Sequence, residues 1–180
     1  RQRASHQVVT SQQQLQQQAE DQPAYHDIYS HPAAVAYTAA HPRRTIPKFR
    51  PHILLQTVGD GEFGKVRLGL HSQWGEEVAV KLIRRGNIDT SVRMSKVERE
   101  IEVLRTLKHP NIVRLYDVIE TDIYIGIILE YASGGELFDH ILAHRLKEKD
   151  AAKLFSQLIS GIWYIHQKKI VHRDLELFPI

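Results

Sequence analysis

The stretch GDGEFGKVRLGLH, Gly59 to His71, decides which fold this chain can adopt. Gly59, Gly61 and Gly64 stand at G-x-G-x-x-G spacing. That spacing alone is a weak signal, because glycines serve any tight hairpin. The residues after the glycines discriminate. A dinucleotide-binding fold needs a helix directly after the glycines. Here Val66, Leu68 and Leu70 alternate with Lys65, Arg67 and Gly69, the period-2 pattern of a strand. HILLQTVG, from His52, reads as a strand before the glycines, so they form the loop of a strand–loop–strand.

EEVAVKLI (Glu76–Ile83) reads as a third strand, and Val92 to Leu107 as a helix with Val97, Ile101 and Leu104 on one side. Two strands come next, Ile112–Glu120 and Ile123–Glu130. After Gly134 and Gly135 a helix is expected over Glu136–His144. A longer one runs from about Asp150, with Ala151, Leu154, Phe155, Leu158, Ile162 and Ile165 on its apolar face. Three strands, a helix, two strands and then helices describe an α+β chain.

Bulk properties narrow the chemistry. Hydrophobic residues at 42% and charged residues at 25% are ordinary globular values. There is no cysteine, which removes disulfides, thiolate catalysis and Cys-based zinc sites. The longest apolar run, Ile123–Leu129, is far short of the roughly 20 residues of a membrane span, so none is expected. No N-terminal segment resembles a signal peptide, and an intracellular setting, cytoplasm or nucleus, is expected. The pI of 9.1 invites a nucleic-acid reading. The charge lies in the wrong place for it: residues 1–50 hold six basic and three acidic side chains, the remainder 18 of each. A nucleic-acid footprint needs a basic face on the folded part, so no such partner is expected. Residues 1–47, with SQQQLQQQAEDQ and four prolines, read as a disordered tail, alternatively as a docking tail for a regulatory partner.

Lys81 ends the VAVK strand, where a solvated lysine is the ordinary reading. Glu100 argues otherwise. On the Val92–Leu107 helix, Glu98 and Glu102 point away from the apolar stripe, whereas Glu100 falls on its edge beside Leu104 and Leu107. A carboxylate facing a core is costly unless paired, and Lys81 is the natural partner.

With the glycine loop, VAVK and Glu100 in this order, the chain from about residue 52 to 175 resembles the first half of a eukaryotic protein kinase domain. HPNIVRLYDVIE (His109–Glu120), ILEYASGGELFDHI (Ile128–Ile141) and KKIVHRDL (Lys168–Leu175) look like the calmodulin-dependent and AMP-activated group of serine/threonine kinases. The resemblance implies an N-lobe over about 52–129, a five-stranded antiparallel sheet plus one helix. It also implies a hinge over 130–135 and an incomplete helical C-lobe over 136–180, within a partial domain of 48–180. It implies ATP and Mg²⁺ as cofactors, and transfer of the γ-phosphoryl group to hydroxyls of a protein substrate.

Residue by residue, the resemblance implies that Gly59, Gly61 and Gly64 bring backbone N–H groups to the phosphates. Lys81 would hold the α- and β-phosphates and Glu100 would fix Lys81. Val58, Val66 and Ala79 would enclose the adenine, Leu129 would be the gatekeeper, and the backbones of Glu130 and Ala132 would bond the adenine edge. Glu136 matches the ribose contact, although Ser133-x-x-Glu136 is also a capping-box pattern. Asp174 would be the general base, with His172 structural and Arg173 directed at a phosphorylated loop. His172 and Asp174 could form a metal pair, but no further ligand is spaced to complete it. After Asp174 the family's lysine and asparagine positions hold Glu176 and Pro179. The pattern lapses there, so truncation after His-Arg-Asp and an inactive chain are expected. A half-kinase that only binds ATP or a partner is the alternative.

Overall fold

In a computed structural model, residues 27–88 and 90–175 are described. The glutamine-rich stretch and the departures at Glu176 and Pro179 lie outside the described residues. Backbone contacts divide the chain into two units, Arg1–Leu55 with Leu70–Glu76, and Gln56–Gly69 with Glu77–Ile180.

In the first unit a 3-10 turn, Ile28–Ser30, leads into helix α1, Pro32–Ala40. This helix corrects the expectation of a structureless tail for residues 27–47. Proline interrupts a helix from within, but Pro32 occupies the first helical position, where its missing N–H and fixed φ favour helix initiation. The His31 Nδ1 accepts the Ala33 N–H at 3.2 Å, satisfying one of the open amides at the helix start. Ala34 and Tyr37 are buried, and the Tyr37 ring stacks on His41 at 4.4 Å. Strand β1, Lys48–Phe49, pairs antiparallel with the start of β2, His52–Gly61, with Phe49 opposite His52. It is a sixth strand where five were expected.

In the second unit the remaining elements are the rest of β2, β3 (Gly64–His71) as far as Gly69, β4 (Glu77–Arg84), helix α2 (Ser91–Thr106), β5 (Leu115–Glu120), β6 (Tyr124–Glu130), α3 (Leu137–Ala143) and α4 (Glu148–Gln167). The strands run in the order β2-β3-β4-β6-β5. β4 and β6 are antiparallel over Val78↔Glu130 to Arg84↔Tyr124, and β5 pairs antiparallel with β6 through an irregularity between Leu115 and Asp117. Every expected strand and helix is present, with ends moved by a few residues. The Thr90 hydroxyl caps α2 by accepting the Arg93 N–H at 3.3 Å. Met94, Val97, Ile101 and Leu104 recur at helical spacing and meet Ile83, Ile88, Ile125 and Ile127 in one core.

Helix α4 carries two apolar files. Leu154 is half-buried and Gly161 and Ile165 are buried. A Cβ on Gly161 would stand 3.3 Å from the Asn111 carbonyl oxygen, so this side of the helix lies close on the 108–111 loop. The same loop is tied to α4 by the Lys108 N–H donating to the Tyr164 hydroxyl at 3.0 Å and by a 3.2 Å contact between the Ser160 hydroxyl and His109 Nε2. The other file, Phe155, Ile159 and Trp163, is 63%, 48% and 63% exposed.

Candidate functional site

Strand β4 delivers Lys81 and helix α2 delivers Glu100. Lys81 Nζ donates to Glu100 Oε1 at 2.6 Å, across 19 positions of sequence. The two side chains are 14% and 35% exposed, so the ammonium is largely withdrawn from water and the carboxylate less so. An ammonium so placed is tolerable because a charge-assisted bond replaces its hydration. The β4–β6 register sets its neighbours: Lys81 lies opposite Ile127, and Ala79 lies opposite Leu129. Directly paired residues share a face of the sheet, so the candidate adenine contacts Ala79 and Leu129 stand beside each other.

The three glycines have different reasons to be glycine. A Cβ on Gly64 would fall within bonding range of the Leu82 carbonyl oxygen, so no side chain fits there without moving the strand. On Gly61 it would stand 3.2 Å from both the Gly64 oxygen and Lys81 Cε, and 3.7 Å from Lys81 Nζ. On Gly59 it would make ordinary contact with Val66 Cβ at 3.8 Å. Val58 is exposed, Val66 and Leu129 are half-buried, and Ala79 is buried. The Glu130 N–H donates to the Arg114 oxygen at 2.9 Å.

Glu136 is the N-cap of α3, and its side chain makes no capping hydrogen bond. The capping-box alternative for Ser133 and Glu136 is therefore not formed, and the exposed carboxylate is not spent on the helix end. Asp174 lies in the irregular, exposed stretch 171–175, where its backbone N–H donates to His172 Nδ1 at 3.3 Å. Arg173 beside it has a positive φ of 71°. The structure thus brings the glycine turn, Lys81 and Glu100 together, and no described contact joins Asp174 to them. Among the described residues, no group of three or more His, Asp or Glu is placed to hold a metal ion.

Sequence reasoning missed two residues here. Glu62, in the turn between Gly61 and Gly64, lies 3.7 Å from Lys96, and its neighbour Phe63 packs against the α2 core. The signal for the first was in plain view, because Lys96 and Glu100 are four apart on one helix face.

The pattern that defines the family described as "Protein kinase domain" matches residues 53–177. The chain belongs to the protein kinase family. Among its kinase relatives is "Fatty acyl-CoA synthetase and RNA processing-associated kinase 1" of Saccharomyces cerevisiae, 49% identical over 147 residues. "Sucrose non-fermenting protein kinase 1" of Fusarium virguliforme is 46% identical over 134, and "Serine/threonine-protein kinase KIN4" of Saccharomyces cerevisiae is 48% identical over 136. These alignments take in 75%, 74% and 72% of the chain but 17%, 19% and 17% of the relatives, so it spans less than a fifth of their length. The kinase resemblance read from the motifs, including the AMP-activated group, therefore holds, as does the α+β fold with its antiparallel sheet. No helix among the described residues is long and apolar enough to cross a membrane.

Proposed function

We propose that this region binds ATP beneath the glycine turn and that the whole protein transfers the γ-phosphoryl group to serine or threonine hydroxyls of a protein substrate. The observation that carries the reading is the 2.6 Å Lys81–Glu100 pair next to Gly61. A lysine held this way presents a fixed positive charge to a polyphosphate, the electrostatic positioning on which phosphoryl transfer depends. Ala79, Leu129, Val58 and Val66 would enclose the adenine. The Glu130 carbonyl and the Ala132 backbone would bond its edge, and Glu136, free of the helix cap, would reach the ribose. Asp174 is the candidate base that accepts the substrate hydroxyl's proton. Mg²⁺, which family membership implies, finds no ligand set among the described residues. An ATP-dependent protein of this kind belongs in the cytoplasm or nucleus.

A second reading, nucleotide binding without transfer, needs only the glycine turn and the Lys81–Glu100 pair. Both readings require ATP to bind. A ligand at 100 times its Kd stabilises a fold by about 2.7 kcal/mol. ATP should therefore raise the melting temperature of the chain by several degrees, and Lys81→Ala should abolish that rise. An unchanged melting temperature with the unsubstituted chain at millimolar ATP would sink both readings.

A further inference from the structure

From Ile28 to Gly59 the chain holds no Asp or Glu, yet Arg43, Arg44, Lys48 and Arg50 fall close together within it. All four side chains are exposed, and none forms an ion pair among the described residues. The segment that carries them is anchored at both ends in the first unit, by Ala34 and Tyr37 of α1 and by Phe49 of β1, all buried. The cations are therefore confined on folded protein, where their mutual repulsion favours the arrival of an anion.

One hydroxyl sits among them. Thr45 is exposed and makes no hydrogen bond among the described residues. By contrast, the Ser30 hydroxyl donates to the Asp27 oxygen at 2.6 Å and the Thr38 hydroxyl to the Ala34 oxygen at 2.9 Å. Residues 44–47 have no regular structure, and neither the Thr45 nor the Ile46 N–H donates to a described backbone oxygen. Pro42 and Pro47 bracket the stretch, and a proline holds the residue before it extended. An extended, accessible hydroxyl directly after two arginines suits a cleft lined with carboxylates.

We propose that Thr45 is a phosphoacceptor for a serine/threonine kinase with an acidic substrate cleft, and that its phosphate clamps the 43–50 segment through Arg43, Arg44, Lys48 and Arg50. In the step, Thr45 Oγ1 bonds to the γ-phosphorus of ATP as the bond from that phosphorus to the β–γ bridging oxygen breaks. ADP leaves with the electron pair, and the hydroxyl proton passes to a carboxylate of the modifying kinase. The product places a charge of about −2 among four cations, enough for about one to three charge-assisted hydrogen bonds. The inference stands apart from the ATP reading above, because Thr45 is here the substrate and the modifying enzyme holds the nucleotide.

The test starts with phosphopeptide mapping of the protein isolated from its own cells, in which Thr45 should carry phosphate. The full chain is then treated with ATP and a basic-directed serine/threonine kinase, and amide hydrogen exchange is followed over residues 32–49. Phosphate on Thr45 should slow that exchange by about threefold to tenfold at low salt, and about 1 M salt should remove the slowing. Arg43→Ala with Arg44→Ala should cut the rate of phosphorylation by about tenfold or more. Lys48→Ser with Arg50→Ser should leave that rate within about threefold and yet weaken the clamp. These four sites are exposed, so the fold survives the substitutions. An unmodified Thr45 in the cellular protein, or phosphate on Thr57 or Ser72 in its place, overturns the proposal. So does exchange that the phosphate leaves unchanged, or slows equally at high salt, because the cations would then not hold it.

Discussion

Within the second unit, the strands with α2 and the helix α4 were written by the same rule and end in different states. Ile83, Val97 and Ile127 are fully buried, each at 0% exposure, because α2 lies across its own sheet. On α4 the apolar residues are just as periodic, yet Phe155 and Trp163 remain 63% exposed. Periodicity states which side chains need cover. It does not state whether nearby sequence supplies that cover. The sheet's partner is 16 residues of adjacent helix, whereas the Phe155 file has none among the described residues.

If that contrast is energetic as well as geometric, the largest effect belongs to Ile127→Ala. The site is fully enclosed between β4, β5 and α2, so removing its side chain loses transfer free energy and leaves a cavity. A loss of about 2–5 kcal/mol is expected, a large part of the roughly 5–15 kcal/mol by which a domain is stable. The urea midpoint should fall accordingly with little change in slope. A loss below about 1 kcal/mol would mean that the strand core is not the stable part of the molecule.

A smaller effect sharpens the picture at the β3–β4 end, in the first unit. His71 is stacked on Trp74 at 5.9 Å and meets His52 edge-on at 5.4 Å, and its Nδ1 accepts the Gln73 N–H at 3.3 Å. Burial lowers its pKa below the usual 6.5. Above that value the ring is neutral in both folded and unfolded chains, so stability does not depend on it. Below it the unfolded chain takes up a proton that the folded chain resists. Stability therefore falls as pH drops through 6.5 and levels off beneath the folded-state pKa. Denaturant titrations from pH 7.5 down to about 5 should show this fall. His71→Gln should flatten the part of it near pH 6; an identical pH profile in that variant would assign the effect elsewhere.

The parts of the molecule legible beforehand are those where local cost speaks. A period-2 run after three glycines left only a strand, and a carboxylate on the edge of an apolar stripe had to find Lys81. Helix α1 was illegible because Pro32 reads as a breaker until its position at the first helical turn is known. Strand β1 is two residues long, below what any periodicity can report. Phe63 was invisible for another reason: an aromatic in a turn looks the same whether it meets solvent or a helix 30 positions away. On α4 the expected stripe joined Leu154 and Phe155, neighbours in sequence, although only the first is half-buried and the second is exposed.

That second file yields the smallest expected effect. Phe155, Ile159 and Trp163 succeed one another at intervals of four, which stacks them along one side of α4. A substitution at a mostly exposed site changes stability by no more than about 0.5 kcal/mol. Trp163→Ser should therefore leave the urea midpoint almost where it was, in contrast to Ile127→Ala. What should change is association. An apolar file of this size favours contact between copies, so sedimentation velocity over a concentration series should show less self-association in the variant. A loss of about 2 kcal/mol or more on Trp163→Ser would break the contrast, because the ring would then be covered in solution. Its concentration dependence would say by what: a loss that grows with protein concentration points to a second copy, and one that does not points to the chain's own residues.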